Sequence, residues 1–146
     1  MNTKKIGNLT ELQCITSFYE LGYSVSIPYG DNSRYDFIAD INGKLIKVQV
    51  KTSHQTETDN DSSYTFCCRS SNRSGGGCIN KKYTSDEIDY FCTFILGKCY
   101  LVPVSECSTS KTLRFGKPLN NNSKECYNLA SDYDLEKQLN KLGTKH

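Results

Sequence analysis

Asp36, Gln49 and Lys51 offer a carboxylate, an amide oxygen and an ammonium at spacings that bring them together. Asp36 stands in the run Arg34-Tyr35-Asp36-Phe37-Ile38-Ala39-Asp40. Gln49 and Lys51 end the run Lys44-Leu45-Ile46-Lys47-Val48-Gln49-Val50-Lys51. Asn42-Gly43 lies between them, and Asn-Gly between two β-rich runs is a strong hairpin signal. A two-residue loop there puts Asp36 opposite Gln49. Side chains alternate along a strand, so Lys51 shares the face of Gln49. The expected polar face carries Asp36, Gln49 and Lys51, together with Ile38, Asp40, Leu45 and Lys47. The other face, with Tyr35, Phe37, Ala39, Ile46, Val48 and Val50, is apolar and must meet a core.

Such a set suits hydrolysis of a phosphodiester. That reaction requires neutralisation of phosphate charge, activation of a water and stabilisation of the leaving oxygen. Mg²⁺ supplies all three and prefers carboxylate, carbonyl and water oxygens. Asp36 provides a hard anionic ligand, and Gln49 and the Val50 carbonyl provide neutral ones. Lys51 is suited to orienting the water or stabilising developing negative charge. Glu11 is the candidate from outside the hairpin, since it lies at the edge of an apolar helical stripe that a sheet would cover.

The elements needed to hold this hairpin are legible on either side of it. Ile6, Leu9, Leu12, Ile15, Phe18, Tyr19 and Leu21 give a helical stripe over residues 4–21, and Gly22 suits its left-handed C-terminal stop. Residues 23–27 read as a strand ending at Pro28. Beyond the hairpin, residues 52–62 are polar and loop-like, 64–69 read as a strand, and 70–77 read as a flexible Ser/Gly segment. A short helix is expected over 83–88, capped by Thr84 or Ser85. A second hairpin is expected from 90–96 and 99–104 around Gly97-Lys98, then a short strand at 112–115. A final helix over 131–142 is capped by Ser131 and stopped by Gly143. The order predicts one α+β, or mixed α/β, domain across 1–146, with a central mixed sheet flanked by helices.

The chain has 146 residues and a net charge of +2, enough for one core but uninformative as an overall charge. Its distribution says more. Acids gather at Glu57, Asp59 and Asp61, whereas residues 69–82 hold Arg69, Arg73, Lys81 and Lys82 without an acid, a pattern compatible with a polyanionic ligand. Eight cysteines include no Cys-x-x-Cys pair, so most read as reduced residues of strands and loops, with Cys67, Cys68 and Cys78 the one grouping open to a metal. Neither a signal-peptide pattern nor a membrane-length apolar run is present, which predicts a cytoplasmic chain.

Taken together, Gly7-x3-Glu11, Gly22-Tyr23, Asp31 to Asp36, Val48-Gln49-Val50-Lys51-Thr52, Lys81-Lys82-Tyr83 and Ile88-Asp89-Tyr90 resemble the PD-(D/E)XK nuclease superfamily. The likeness is greatest to its small group I intron homing endonucleases and runs from about Gly7 to Val104. It implies a restriction-endonuclease-like core and Mg²⁺-dependent, site-specific cleavage of double-stranded DNA, with Mn²⁺ substituting. It further implies a homodimer or homotetramer associated with DNA. The matching catalytic residues are Glu11, Asp36, Gln49 and Lys51, and the metal set is Asp36, Gln49, Val50 and Glu11. Gln49 replaces an acid common in the wider superfamily, which removes one negative charge and leaves Glu11 to compensate. On this reading residues 52–83 form a basic DNA-contacting insertion. Arg69, Arg73, Lys81 and Lys82 grip phosphates, and Ser70, Ser71 and Asn72 reach base edges. A DNA-binding module of the same fold with weak or no catalysis, a junction resolvase and a restriction-type nuclease remain alternatives.

Overall fold

The computed structural model describes residues 2–30, 32–56, 63–74, 77–115 and 128–142, with the backbone alone for 71–74 and 77–80. Helix α1 (Thr3–Glu20) opens the chain, and the Asn2 side chain caps it by accepting from the Lys5 N–H. It ends where expected. Leu21 is the C-cap and Gly22 follows at φ +92°, a conformation in which a β-carbon would crowd the backbone.

Strands β1 (Ser24–Ser26), β2 (Phe37–Ile41), β3 (Lys44–Val50), β8 (Tyr90–Ile95) and β9 (Lys98–Pro103) form a five-stranded sheet in the order β1-β2-β3-β8-β9. The β3–β8 pair is parallel and the other pairs are antiparallel. Between β3 and β8 the chain makes β4 (His54–Gln55), β5 (Ser63–Cys67), β6 (Arg69–Ser74) and β7 (Gly77–Lys82). A second, antiparallel sheet runs β10-β5-β4, with β10 at Ser110–Arg114, and β6 and β7 form a separate two-stranded hairpin. Helix α2 (Leu135–Leu142) completes the α+β fold.

Two cores sandwich the large sheet. On one face Phe37, Ala39, Ile46, Val48 and Val50 pack with Cys14 and Phe18 of α1 and with Leu135 and Leu139 of α2. Phe18 and Phe37 meet edge to face, their ring centroids 5.3 Å apart. On the other face Phe91 and Val102 pack with Phe66, Tyr83, Ile88 and Leu113. Fully burying a side chain such as Phe37 contributes about 1.5–3 kcal/mol, so the apolar face of the β2–β3 hairpin fixes its seat against α1.

Several sequence expectations change in detail. The Ser/Gly segment expected to be flexible forms much of β6 and β7, paired from Arg69↔Lys82 to Ser74↔Gly77. Residues 83–88 make one turn rather than a helix: Glu87 and Ile88 both donate to the Thr84 carbonyl, and Glu87 closes the turn on the Thr84 N–H. The β8–β9 turn is Leu96-Gly97, with φ of 50° and 82°, not Gly97-Lys98. The final helix begins four residues later than expected, because 130–133 is a 3-10 turn, and Asp134 rather than Ser131 accepts from the Lys137 N–H. Gly143 and Tyr127 lie outside the described residues, as do the acids at 57, 59 and 61.

Candidate active site

The β2–β3 hairpin has the register read from its Asn-Gly loop. Ile41 pairs with Lys44 and Phe37 with Val48, and Asn42 and Gly43 take φ of 54° and 96°. Asp40 Oδ1 accepts from the Gly43 N–H at 2.7 Å, a turn-stabilising role for a residue of the polar face. Lys47 is likewise structural: its Nζ donates to the Asp86 carbonyl at 2.7 Å.

At the open end the register shifts. The Asp36 N–H donates to the Val48 carbonyl at 2.8 Å, so Asp36 and Phe37 both stand against Val48 in the manner of a β-bulge. Alternation therefore breaks at Asp36. Tyr35, expected beside Phe37, packs instead with the Phe91–Tyr83 core, while Phe37 keeps to the α1 core. Asp36 is not simply a polar-face neighbour of Gln49. Its carboxylate accepts from the Val50 N–H at 2.8 Å and lies at the sheet end, within electrostatic reach of both Glu11 and Lys51.

Lys51 follows the last residue of β3. Its N–H donates to the Cys92 carbonyl at 2.9 Å, which continues the β3–β8 pairing by one residue. Its Nζ donates to the Arg69 carbonyl at 3.0 Å and lies 5.2 Å from the Tyr83 ring centroid. Burial holds the Lys51 ammonium below its ordinary pKa and outweighs the attraction of Cys67 and Asp36. Burial also raises the Asp36 carboxyl, against the lowering effects of the Val50 N–H and Lys51. Glu11, half-buried on α1, is raised by burial first and by the Asp36 charge second. A hydrogen bond of 3.3 Å between Thr52 and Thr10 ties the chain just beyond Lys51 to the helix turn that carries Glu11.

Gln49 is half-buried, and its Nε2 lies 3.4 Å from the Val50 carbonyl, so the amide and that carbonyl share one spot at the strand end. Two carboxyl groups whose proton affinity burial raises, with an amide and a carbonyl beside Asp36, offer hard oxygen donors. That set fits a divalent cation of the Mg²⁺ type. Asp36 meets Val50 through its hydrogen bond and Glu11 through charge, and Gln49 meets the Val50 carbonyl.

The basic segment is only partly assembled at the site. The Arg69 backbone holds Lys51, and its guanidinium Nε is buried with no hydrogen-bond partner among the described residues. Ser70 accepts from Arg34 at 2.9 Å and donates to the Lys81 carbonyl at 3.3 Å, so its hydroxyl is committed within the protein. Lys81 and Lys82 are exposed at the end of β7, with Lys81 3.8 Å from Glu87. The side chains of Ser71, Asn72 and Arg73 lie outside the described residues.

Arg34 is a neighbour of the site that sequence reading did not single out. Its guanidinium stacks 3.9 Å from the Tyr83 ring centroid, donates to the Lys82 carbonyl at 3.1 Å and pairs with Glu87 at 3.4 Å. The Tyr83 ring thus has two cations near it, Arg34 and Lys51. Arg34 stands two residues before Asp36, a weak signal at most. Its target Tyr83 is distant in sequence and reads as core, which it is, at 7 % exposure.

The end of the hairpin gathers an aspartate, a second acid from a packed helix and a desolvated lysine. The family model for the PD-(D/E)XK endonuclease matches residues 1–136, and the chain belongs to that family. Its members generally use divalent metal ions. Among solved structures, the bacterial homing endonuclease I-Ssp6803I has a similar fold, with a TM-score of 0.77 at 21% identity over 100% of both chains. No curated protein sequence matches significantly.

Proposed function

We propose that the protein is a Mg²⁺-dependent, site-specific endonuclease of double-stranded DNA, of the homing type, with Mn²⁺ as a substitute metal. The observation that carries this reading is the convergence of Asp36, Glu11 and Lys51 at the end of β3, inside the matched family region. Asp36, Glu11, Gln49 and the Val50 carbonyl would hold the metal, which neutralises phosphate charge and lowers the pKa of a bound water. The Val50 N–H fixes the Asp36 carboxylate. Lys51, already inclined toward its neutral form, exchanges a proton with the attacking water or stabilises charge on the phosphate.

DNA is the substrate that suits the surface around the site. The β6–β7 hairpin carries Arg69, Arg73, Lys81 and Lys82 on paired strands, and the backbone at its root holds the Lys51 ammonium. DNA seated on that hairpin would therefore lie against the catalytic lysine. Arg69, Arg73, Lys81 and Lys82 would take phosphates, and Ser71 and Asn72 would read bases. Ser70 is better assigned to positioning, since its hydroxyl serves Arg34 and the Lys81 carbonyl.

Cleavage of a duplex library compared with four-way junctions tests the reading. Mg²⁺-dependent double-strand breaks at one sequence, with intact junctions, are expected. Preferential junction cutting identifies a resolvase. Tight duplex binding without cleavage in Mg²⁺ or Mn²⁺ identifies a binding module, which the missing acid at Gln49 favours.

A further inference from the structure

Cys14, Cys92 and Cys99 come from α1, β8 and β9, and no sequence spacing links them, yet their Sγ atoms all lie within 4.8 Å of one another. All three are buried in the core beneath α1, at 0%, 0% and 5% exposure. The hydrolytic site cannot claim them, because it is built of oxygen donors. Three thiolates on a zinc ion, with Zn–S of about 2.3 Å, sit about 3.8 Å apart in tetrahedral geometry. That is below the 4.8 Å limit within which all three sulfurs lie, and the Cys92–Cys99 pair, now at 3.0 Å, reaches it through a small side-chain opening.

A disulfide fits these positions less well. Cys92 and Cys99 approach to 3.0 Å through sulfur, but Cys92 pairs with Leu101 and Phe94 with Cys99 across the ladder. The two cysteines are therefore diagonal neighbours, for which Cα atoms stand about 7–8 Å apart, beyond the reach of an unstrained bridge. A metal spans that distance without moving the backbone.

A surface pocket reaches the edge of the cluster at Cys99. It has a volume of about 200 Å³, and its wall includes Ser17, Glu20, Asp134 and Glu136. Three carboxylates at the mouth attract a cation, and Lys98 offsets one of them through its 3.7 Å pair with Asp134. We propose that Cys14, Cys92 and Cys99 form a second metal site, a trithiolate for a soft d¹⁰ cation of the Zn²⁺ class, with its fourth position open toward this pocket. Soft thiolate ligands select zinc or copper(I) over magnesium. Binding converts the thiols to thiolates and releases their protons to water. The metal clamps α1 to β8 and β9, and so holds the helix that carries Glu11.

The test titrates the reduced, chelator-stripped full chain with Cd²⁺ and follows sulfur-to-metal charge-transfer absorption. One equivalent per chain is expected, and Cd²⁺ added to the zinc-loaded chain should displace the zinc and give the same band. Affinity should fall at least tenfold in Cys99→Ser and stay unchanged in a Cys67→Ser/Cys78→Ser double variant. X-ray absorption at the zinc edge of the loaded wild type should find three sulfurs, a measurement that stands even where Cys99→Ser fails to fold. No charge-transfer band at one equivalent, a shell of oxygen and nitrogen only, or a band lost in the double variant and kept in Cys99→Ser overturns the proposal. None of these readouts depends on DNA cleavage.

Discussion

At the residue scale the site is governed by desolvation. Asp36 and Lys51 attract one another, yet both are shifted toward their neutral forms, so burial outweighs the pairing. The sign of the pH effect follows. Asp36 and Glu11 have folded pKa values above their ordinary ones, so the folded metal-free chain holds their protons more tightly than the unfolded chain. Their contribution to stability falls as pH rises from the unfolded values of 3.8 and 4.5 through the higher folded ones. Asp36→Asn should therefore raise the metal-free Tm at neutral pH and lose that advantage at low pH. Thermal unfolding of both proteins at several pH values, with chelator present, checks this. An advantage that persists unchanged below the ordinary carboxylate range contradicts it. The pairing of β2 with β3 was legible because Asn-Gly fixes a hairpin register, but Asp36 stands against Val48 and not, as expected, against Gln49. The bulge that turns Tyr35 to the opposite core was not legible. It is set by which core each ring finds, and alternation alone carries no sign of it.

At the element scale, the β2–β3 and β8–β9 hairpins announce themselves through apolar runs about their turns. Helix α1 spans the expected residues but buries Thr10, Cys14 and Phe18 and leaves Ile6, Leu9, Leu12, Tyr19 and Leu21 of the expected stripe exposed. The β6–β7 hairpin does not announce itself. Its strands are Ser-, Asn- and Lys-rich, and their pairing with each other replaces the apolar alternation by which a strand is recognised. This hairpin is the element assigned to DNA. Replacing Lys81 and Lys82 with alanine should weaken binding across all sequences and reduce the salt slope by about two counterions. Binding isotherms at several salt concentrations measure that slope, and an unchanged slope removes the two lysines from the interface. A second element-scale prediction concerns the β8–β9 turn. Leu96 is exposed and holds φ of 50°, a left-handed conformation that a leucine adopts at a cost of about 1–2 kcal/mol. Leu96→Asn creates an Asn-Gly turn like that of the first hairpin. It should add about 1 kcal/mol and raise Tm by about 2–4 °C. Denaturant unfolding gives the value, and a loss of stability contradicts the turn assignment.

At the scale of the whole molecule, the two cores divide the labour. The α1 core seats the hairpin, and the opposite core seats Tyr83 and, through it, Arg34 and Lys51. An α+β domain was legible from element order. The neighbouring of β3 and β8 was not, because a parallel pair separated by some forty residues leaves no local trace. The meeting of three scattered cysteines was hidden for the same reason. Cutting both strands of a duplex requires two sites facing opposite strands, which predicts a symmetric dimer or tetramer. Light scattering with and without DNA should find it, and a monomer on cleaved duplex contradicts it.

The most direct test of the central claim is single-turnover cleavage of a duplex library by wild type and Lys51→Ala in Mg²⁺, with chelator controls and parallel binding isotherms. Losing the lysine should reduce cleavage at least a hundredfold while leaving DNA affinity within a few-fold of wild type. Equal cutting by both proteins, abolished by chelator, would show that the end of β3 is not where the phosphodiester is broken.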